Sequence, residues 1–316
     1  MPKLFIIFNP AARGEKSQRL RAFLESQAGP DVTLAPTSGP GDATRLAAEG
    51  QRTGHEVIVA AGGDGTINEV VNGLGFPCSV GAPFRARPVG EANGIAGRSP
   101  LPQQQAEEGR PVLGVLPLGT ANVFARELGI PLRLEKAWTV LERGQTRVVD
   151  VGVAGQRKFV QLAGIGFDAA AVRAASWQLK KKLGPLAYVL AGFQTLRGPL
   201  PAVEVMVAGK VRARGVAVLV GNGRFFGGSF RLFPQARLDD GLLDVCVFER
   251  IGWLDLLRFG PGILSGRHIR QRGVQYFQAA ELECRAAAPL ELDGEDVGNT
   301  PMKFKVLSGA LRVVVP

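Results

Sequence analysis

Residues Val59–Leu74 read VAAGGDGTINEVVNGL and change period midway. The opening is a continuous apolar run, as in a strand buried on both faces. After the glycines, Ile67, Val70, Val71 and Leu74 recur at helical spacing on one face. Thr66 and Glu69 have capping-box spacing, which predicts a helix start there. Gly62, Gly63 and Gly65 therefore stand between a strand end and a helix N-terminus. Free N–H groups and the helix dipole favour an anion at such a place, and residues without Cβ let it approach the backbone. Asp64 conflicts with that anion unless a divalent cation bridges them, and Mg²⁺ is the usual bridge for phosphates. The stretch suits a metal–nucleotide site, against the plainer reading of a βα turn.

The same phrase occurs three times in the first half. KLFIIF precedes NPAARG and a charged helical stretch from Glu15 to about Gln27. EVIVAA precedes GGDG and TINEVVNGL, and PVLGVLP precedes LGT and ANVFAREL. Apolar strands alternating with helices predict a parallel sheet covered on both faces, with ligands at the carboxyl ends of its strands. From about Val148 the pattern turns to β. VDVGVAGQRKFVQL and AVEVMVAGKVRARGVAVLV each read as a hairpin around Ala-Gly, and helical patches fall at Ala169–Leu196 and Trp253 to about Leu264. The fold expected is an α/β nucleotide-binding domain with a Rossmann-like parallel sheet, then a mainly antiparallel β-sandwich domain, with the site in the cleft between them. The boundaries expected are 1–147 and 148–306, with an insertion over about 76–110 and a tail over about 307–316 packing back on the first domain.

Composition narrows the function. The chain has 316 residues, 46% hydrophobic and 21% charged, enough for one large or two modest cores. A net charge of +10 suggests a polyanionic partner. The three cysteines lack C-x-x-C spacing and the two histidines lack metal-type or Ser/Asp neighbours, which argues against a disulfide framework, structural zinc and His-based hydrolysis. No signal peptide is visible, and Leu183–Leu196 is too short to span a bilayer. No G-K-[ST] follows the glycines, GNGRFFGG reads as a turn, and GIGFDA at Gly164–Ala169 carries little alone.

Taken in order, NPAARG, GGDGTINEVVNGL, LPLGTANVFARELGIP, GIGFDA, LDDGLLDV and LDGE resemble the diacylglycerol kinase catalytic family, in its branch of soluble bacterial lipid kinases related to sphingosine kinases. These motifs run from Asn9 to Glu295. The resemblance implies ATP- and Mg²⁺-dependent phosphorylation of a lipid hydroxyl, with diacylglycerol first among the substrates and a sphingoid base, monoacylglycerol or phosphatidylglycerol as alternatives. By position it assigns Asn9, Thr37, Gly62, Gly63, Gly65, Thr66, Asn68, Glu69, Gly119, Thr120 and Asn122 to the ATP site, with Asp64 acting on the Mg²⁺-phosphate group. Asp240, with main-chain oxygens of Arg237 and Leu242, resembles a second, structural Mg²⁺ site. Glu295 takes the place of the general base and Asp293 that of its support.

Two departures stand out. Asn122 is followed by Val123 where relatives often carry an acid, and most of Phe76–Arg110 is inserted where the family has a short connection. NAD kinase also uses a GGDGT loop, but PLGTAN and LDGE favour the lipid branch. A catalytically silent regulator is opposed by the presence of Asp64, Thr120 and Glu295. The partners expected are a lipid at a membrane surface, an anionic membrane and a second copy of the chain, with no nucleic acid. The location expected is cytoplasmic and peripheral to a membrane, docked through Ser176–Gly198 and Leu256–Arg272, where basic and apolar residues adjoin.

Overall fold

The computed structural model describes residues 2–10, 15–27, 29–76, 111–174, 194–196, 198 and 200–316. The insertion expected over 76–110, except Phe76, and most of the face expected over 176–198 lie outside the described residues.

The first half is β1 (Leu4–Phe8), α1 (Glu15–Ser26), β2 (Val32–Pro36), α2 (Asp42–Arg52), β3 (Val57–Gly62), α3 (Asp64–Gly73), β4 (Val112–Pro117), α4 (Val123–Glu127) and α5 (Leu134–Arg143). β1 lies between β2 and β3, and β3 pairs with β4, all in parallel. The three-phrase reading missed the β2–α2 unit. β2 is an edge strand with one buried residue, Ala35, so it lacks the apolar run that marks its neighbours.

Ile67, Val70, Val71 and Leu74 are buried, as the period of α3 predicts. The capping box is not formed. α3 starts earlier, at Asp64, with Gly63 as its N-cap. Glu69 instead accepts the N–H of Ala43 in the first turn of α2, at 3.2 Å.

The second half contributes β5 (Thr146–Ala154), β6 (Arg157–Phe159), β7 (Leu162–Gly166), α6 (Phe167–Ala174), β8 (Val203–Val207), β9 (Lys210–Gly215), β10 (Ala217–Gly221), β11 (Phe225–Phe226), β12 (Phe230–Arg231), β13 (Leu243–Phe248), α7 (Trp253–Ser265), β14 (Val274–Ala279), β15 (Glu281–Arg285), β16 (Pro289–Leu292), β17 (Glu295–Asn299) and β18 (Met302–Val314). Both Ala-Gly hairpins form. At the β8–β9 turn Ala208 and Gly209 have φ of +50° and +76°, the left-handed pair of a two-residue hairpin.

β14-β13-β10-β7-β16-β17 make an antiparallel six-stranded sheet. It packs on the β half of a ten-stranded sheet whose path runs β2-β1-β3-β4-β18-β15-β8-β9, with β5 on β18 and β6 on β5, enclosing a core that includes Phe159, Ile165, Val205, Val245, Leu290 and Phe304. One long strand joins the halves. β18 pairs antiparallel with β5 along most of its length, and its Arg312 and Val313 pair in parallel with Val112 and Leu113 of β4. The parallel sheet and one leaf of the sandwich are thus a single hydrogen-bonded sheet, which limits how far the halves can shift.

Candidate active site

Asn9 follows β1, Thr37 follows β2, Gly62 and Gly63 close β3, and Gly119 and Thr120 follow β4. All lie at the carboxyl edge of the parallel sheet, where open α/β sheets present backbone N–H groups to ligands. The second and third glycine turns touch. The N–H of Leu118 donates to the carbonyl of Gly62 at 2.9 Å. A Cβ on Gly119 would stand 2.6 Å from Cα of Gly63, and one on Gly62 would strike Thr66. Gly119 is therefore required by close backbone approach, and Gly62 by the Thr66 side chain packed against it.

Asp64 links the two turns. Its Oδ1 accepts the N–H of Phe124 at 3.2 Å, and the N–H groups of Val123 and Asn122 add to the same carboxylate. Burial pushes its carboxyl upward, and these donors oppose that rise. Asn122 has φ of +48° and donates Nδ2 to Gly119 O at 2.8 Å. Its buried Oδ1 has no donor among the described residues.

The other side comes from the β16–β17 hairpin. Asp293 and Gly294 form its turn with φ of +48° and +89°. Asp293 Oδ1 accepts the N–H groups of Gln161 and Leu162 at 2.9 and 3.0 Å. Its Oδ2 accepts that of Val160 at 2.9 Å and Asn68 Nδ2 at 2.7 Å. Asn68 sits on α3, so this bond crosses between the halves. The resemblance assigned Asn68 and Glu69 to ATP, yet the Asn68 amide is committed to Asp293 and Lys158 O, and Glu69 holds the start of α2.

With the turn fixed, Glu295 at the head of β17 reaches the glycine turn. A Cβ on Gly65 would lie 3.1 Å from Glu295 Oε1. Partial desolvation, then the charges of Glu69 and Asp293, raise the Glu295 carboxyl above the ordinary glutamate value, against a smaller opposing effect of Arg157.

Three further ties went unread in the sequence. Lys158 Nζ donates to the last carbonyls of α3 and beyond it, Asn72 O at 3.2 Å and Leu74 O at 2.8 Å, where the helix dipole favours a cation. Asn72 bonds the backbone of Lys158 in both directions. Buried Glu127 on α4 takes Arg224 Nε at 2.7 Å together with the N–H groups of Arg224 and Phe225. Each pairs residues far apart in the chain, and no local spacing announces it.

Comparison with known proteins matches this two-part layout. The family "Diacylglycerol kinase catalytic domain" matches residues 3–154, and "YegS C-terminal NAD kinase beta sandwich-like domain" matches residues 161–315. A Bacillus subtilis protein named "Diacylglycerol kinase" is 33% identical over 100% of this chain and 97% of its own. The chain belongs to the diacylglycerol kinase catalytic-domain family. A Pseudomonas aeruginosa relative, "Probable lipid kinase YegS-like", is 32% identical over 99% of this chain and 94% of its own. A crystal structure of a diacylglycerol kinase from Bacillus anthracis superposes with a TM-score of 0.71 at 26% identity, covering 100% of this chain and 97% of that one.

This lipid kinase family implies ATP as co-substrate and a divalent metal. The residues present fit both groups. The turns at Gly62, Gly63 and Gly119 pack together at a helix N-terminus, where N–H groups favour an anion, and the orphaned Asn122 Oδ1 beside Gly119 can accept from a ligand or face a cation. Val123, after Asn122, is buried and presents its N–H to Asp64.

The second position expected for a metal lies beside the buried carboxylate of Asp150. Asp150 accepts the N–H groups of Gly309 and Gly241 at 2.6 and 2.7 Å. Its carboxyl is pushed up to about 6 by burial and by the charges of Asp240 and Asp239. Asp239 is held by Arg147 and Arg237, and Asp240 Oδ1 accepts the Leu242 N–H at 3.1 Å. Among the described residues no three His, Cys, Asp or Glu side chains gather as a cage.

Proposed function

We propose that this lipid kinase transfers the γ-phosphate of ATP to a diacylglycerol hydroxyl, giving phosphatidic acid. The observation that carries the reading is Glu295 Oε1, brought from the β16–β17 hairpin to Gly65 in the first turn of α3, beside the backbone that would hold phosphates. Asn9, Thr37, the Gly62–Thr66 turn, Gly119, Thr120 and Asn122 bind the nucleotide. Asp64 and Asn122 would hold the Mg²⁺-phosphate group, and a bound Mg²⁺ would offset the charge that gathers on the transferred phosphoryl. Glu295 accepts the hydroxyl proton as that oxygen bonds to γ-phosphorus, and the bond from γ-phosphorus to the β-γ bridging oxygen breaks to release ADP. A carboxyl raised by its surroundings is a better proton acceptor than an ordinary one. Asp293 positions Glu295 by fixing the turn.

The test is incubation of purified protein with labelled ATP and Mg²⁺ against diacylglycerol, monoacylglycerol, sphingosine, ceramide and phosphatidylglycerol in mixed micelles, with NAD as a water-soluble arm. The expected result is label in phosphatidic acid with at least tenfold preference over the other arms. Preferential labelling of another lipid overturns the substrate, and labelling of NAD alone overturns the lipid reading.

The substrate lies in a bilayer, and no described helix is long and apolar enough to cross one. The chain therefore meets its substrate from the surface. From Arg250 to Arg272 there are five arginines, all exposed, against the single acid Asp255. Beside them at the head of α7, Trp253 is 50% and Leu254 81% exposed. Apolar side chains ringed by cations suit an anionic headgroup layer, where each cation adds about 1 kcal/mol. Changing Arg267, Arg270 and Arg272 together to Gln is expected to weaken sedimentation with anionic vesicles by about two decades at low salt. Equal binding of the native chain to neutral and anionic vesicles removes this face.

A further inference from the structure

GIGFDA contributes Asp168, a carboxylate for which the transfer above has no use. β7 and β16 run side by side, with Glu291 opposite Gly164, and α6 begins directly after β7 with Asp168 in its first turn. A Cβ on Gly164 would collide with Asp168 Oδ2 and stand 2.6 Å from Glu291 Oε1. The two carboxyls thus converge on the space this glycine leaves. Both of those oxygens are buried, and neither receives an N–H or O–H among the described residues. Two ionised carboxylates have only acceptors to offer each other, so the arrangement persists only with a proton between them.

The second Glu291 oxygen makes the connection to chemistry. Oε2 accepts the N–H of Gly294 at 2.6 Å, and Gly294 is the residue between Asp293 and Glu295. We propose that Asp168 and Glu291 share one proton and that Glu291, through Gly294, is the positioning residue that holds Glu295 at the phosphate turn.

The surroundings agree. Burial raises both carboxyls, Asp168 to about 6 and Glu291 well above its ordinary value with the Asp168 charge adding to the effect. Both shifts favour retention of one proton between Glu291 Oε1 and Asp168 Oδ2. The charged groups facing the pair among the described residues are few. α6 offers Arg173, engaged with Asp296 of β17 at 2.7 Å, and the hairpin offers Asp293 and Glu295. β7 and β10 offer none. Among the described residues no free cation is placed to replace the proton. When pH rises far enough to remove it, two buried like charges repel across the base of the turn and Glu295 is displaced. Glu295 itself only gains from higher pH, so this loss is a separate, alkaline limb. Displacement of a reacting group by about 1 Å costs on the order of 10²-fold in rate.

The proposal rests on Glu295 being the base, and the variants separate the two. Glu291→Ala is expected to lower kcat about tenfold or more with KM for ATP unchanged. Glu291→Gln keeps a donor to Asp168 and an acceptor for Gly294, so it is expected to restore kcat to within about twofold of wild type. It carries no proton to lose, so the alkaline limb of its kcat profile should vanish. The measurements are steady-state kcat and KM from pH 6 to 10 on the full chain, with thermal melts of every variant. Full activity in Glu291→Ala, or an alkaline limb unchanged in Glu291→Gln, overturns the positioning role while Glu295→Gln remains inactive. Should Glu291→Ala fail to fold, the Glu291→Gln profile decides by itself. Full activity in Glu295→Gln overturns the base instead.

Discussion

Glu295→Gln is expected to lower kcat by about 10²-fold or more, the usual contribution of a general base. Melting temperature and ATP affinity should stay near wild type. The side chain reaches solvent at the head of β17, and no hydrogen bond from it holds the hairpin turn, which is fixed by Asp293 and Glu291. An amide keeps the shape and cannot take the hydroxyl proton. The acid limb supplies a second readout. A base must be ionised to act, so activity is lost as pH falls through the raised carboxyl of Glu295. In wild type the midpoint should lie above 4.5, the ordinary glutamate value, and the residual rate of the variant should lack that limb. Turnover at the wild-type rate in the variant would remove Glu295 from the reaction.

Much of the first half was legible because its signals are local. Continuous apolar runs name β1, β3 and β4, and a helical period names the buried face of α3. Positive φ at Ala208 and Gly209 is what an Ala-Gly hairpin predicts. The helix start was misread because Thr66 and Glu69 satisfy a spacing rule while the backbone had already turned helical at Asp64. What decides the partner of Glu69 is the approach of α2, and that is tertiary. The same holds for Asn68. Its place within a nucleotide motif says nothing of its bond to Asp293, which lies 225 residues away. Lys158 and Glu291 were invisible for the same reason. GIGFDA was visible but without meaning until β7, β16 and α6 brought Asp168 to Glu291.

Asp293→Asn should give the opposite pattern from the neighbouring Glu295 variant, losing stability and activity together. Four N–H donors converge on the Asp293 carboxylate, two on each oxygen. A carboxylate has only acceptors to present and satisfies all four. Asparagine has one oxygen. Whichever way its amide is turned, an NH₂ group points its hydrogens at two donors that face the other position. If the NH₂ replaces Oδ1, the N–H groups of Gln161 and Leu162 are orphaned. If it replaces Oδ2, the N–H of Val160 and the interdomain bond from Asn68 are lost. Each buried unpaired donor costs about 1–3 kcal/mol. A loss of about 3 kcal/mol or more follows, roughly 5–10 °C in melting temperature for a chain of this size. The turn that carries Glu295 is tied to β7 and α3 through these bonds, so kcat should fall by at least tenfold even well below the melting transition. Thermal melts and kcat measured at 20 °C on the same preparation test both parts. A variant that melts like wild type and keeps its rate would show that the four donors do not set the turn, and that the placement of Glu295 has another origin.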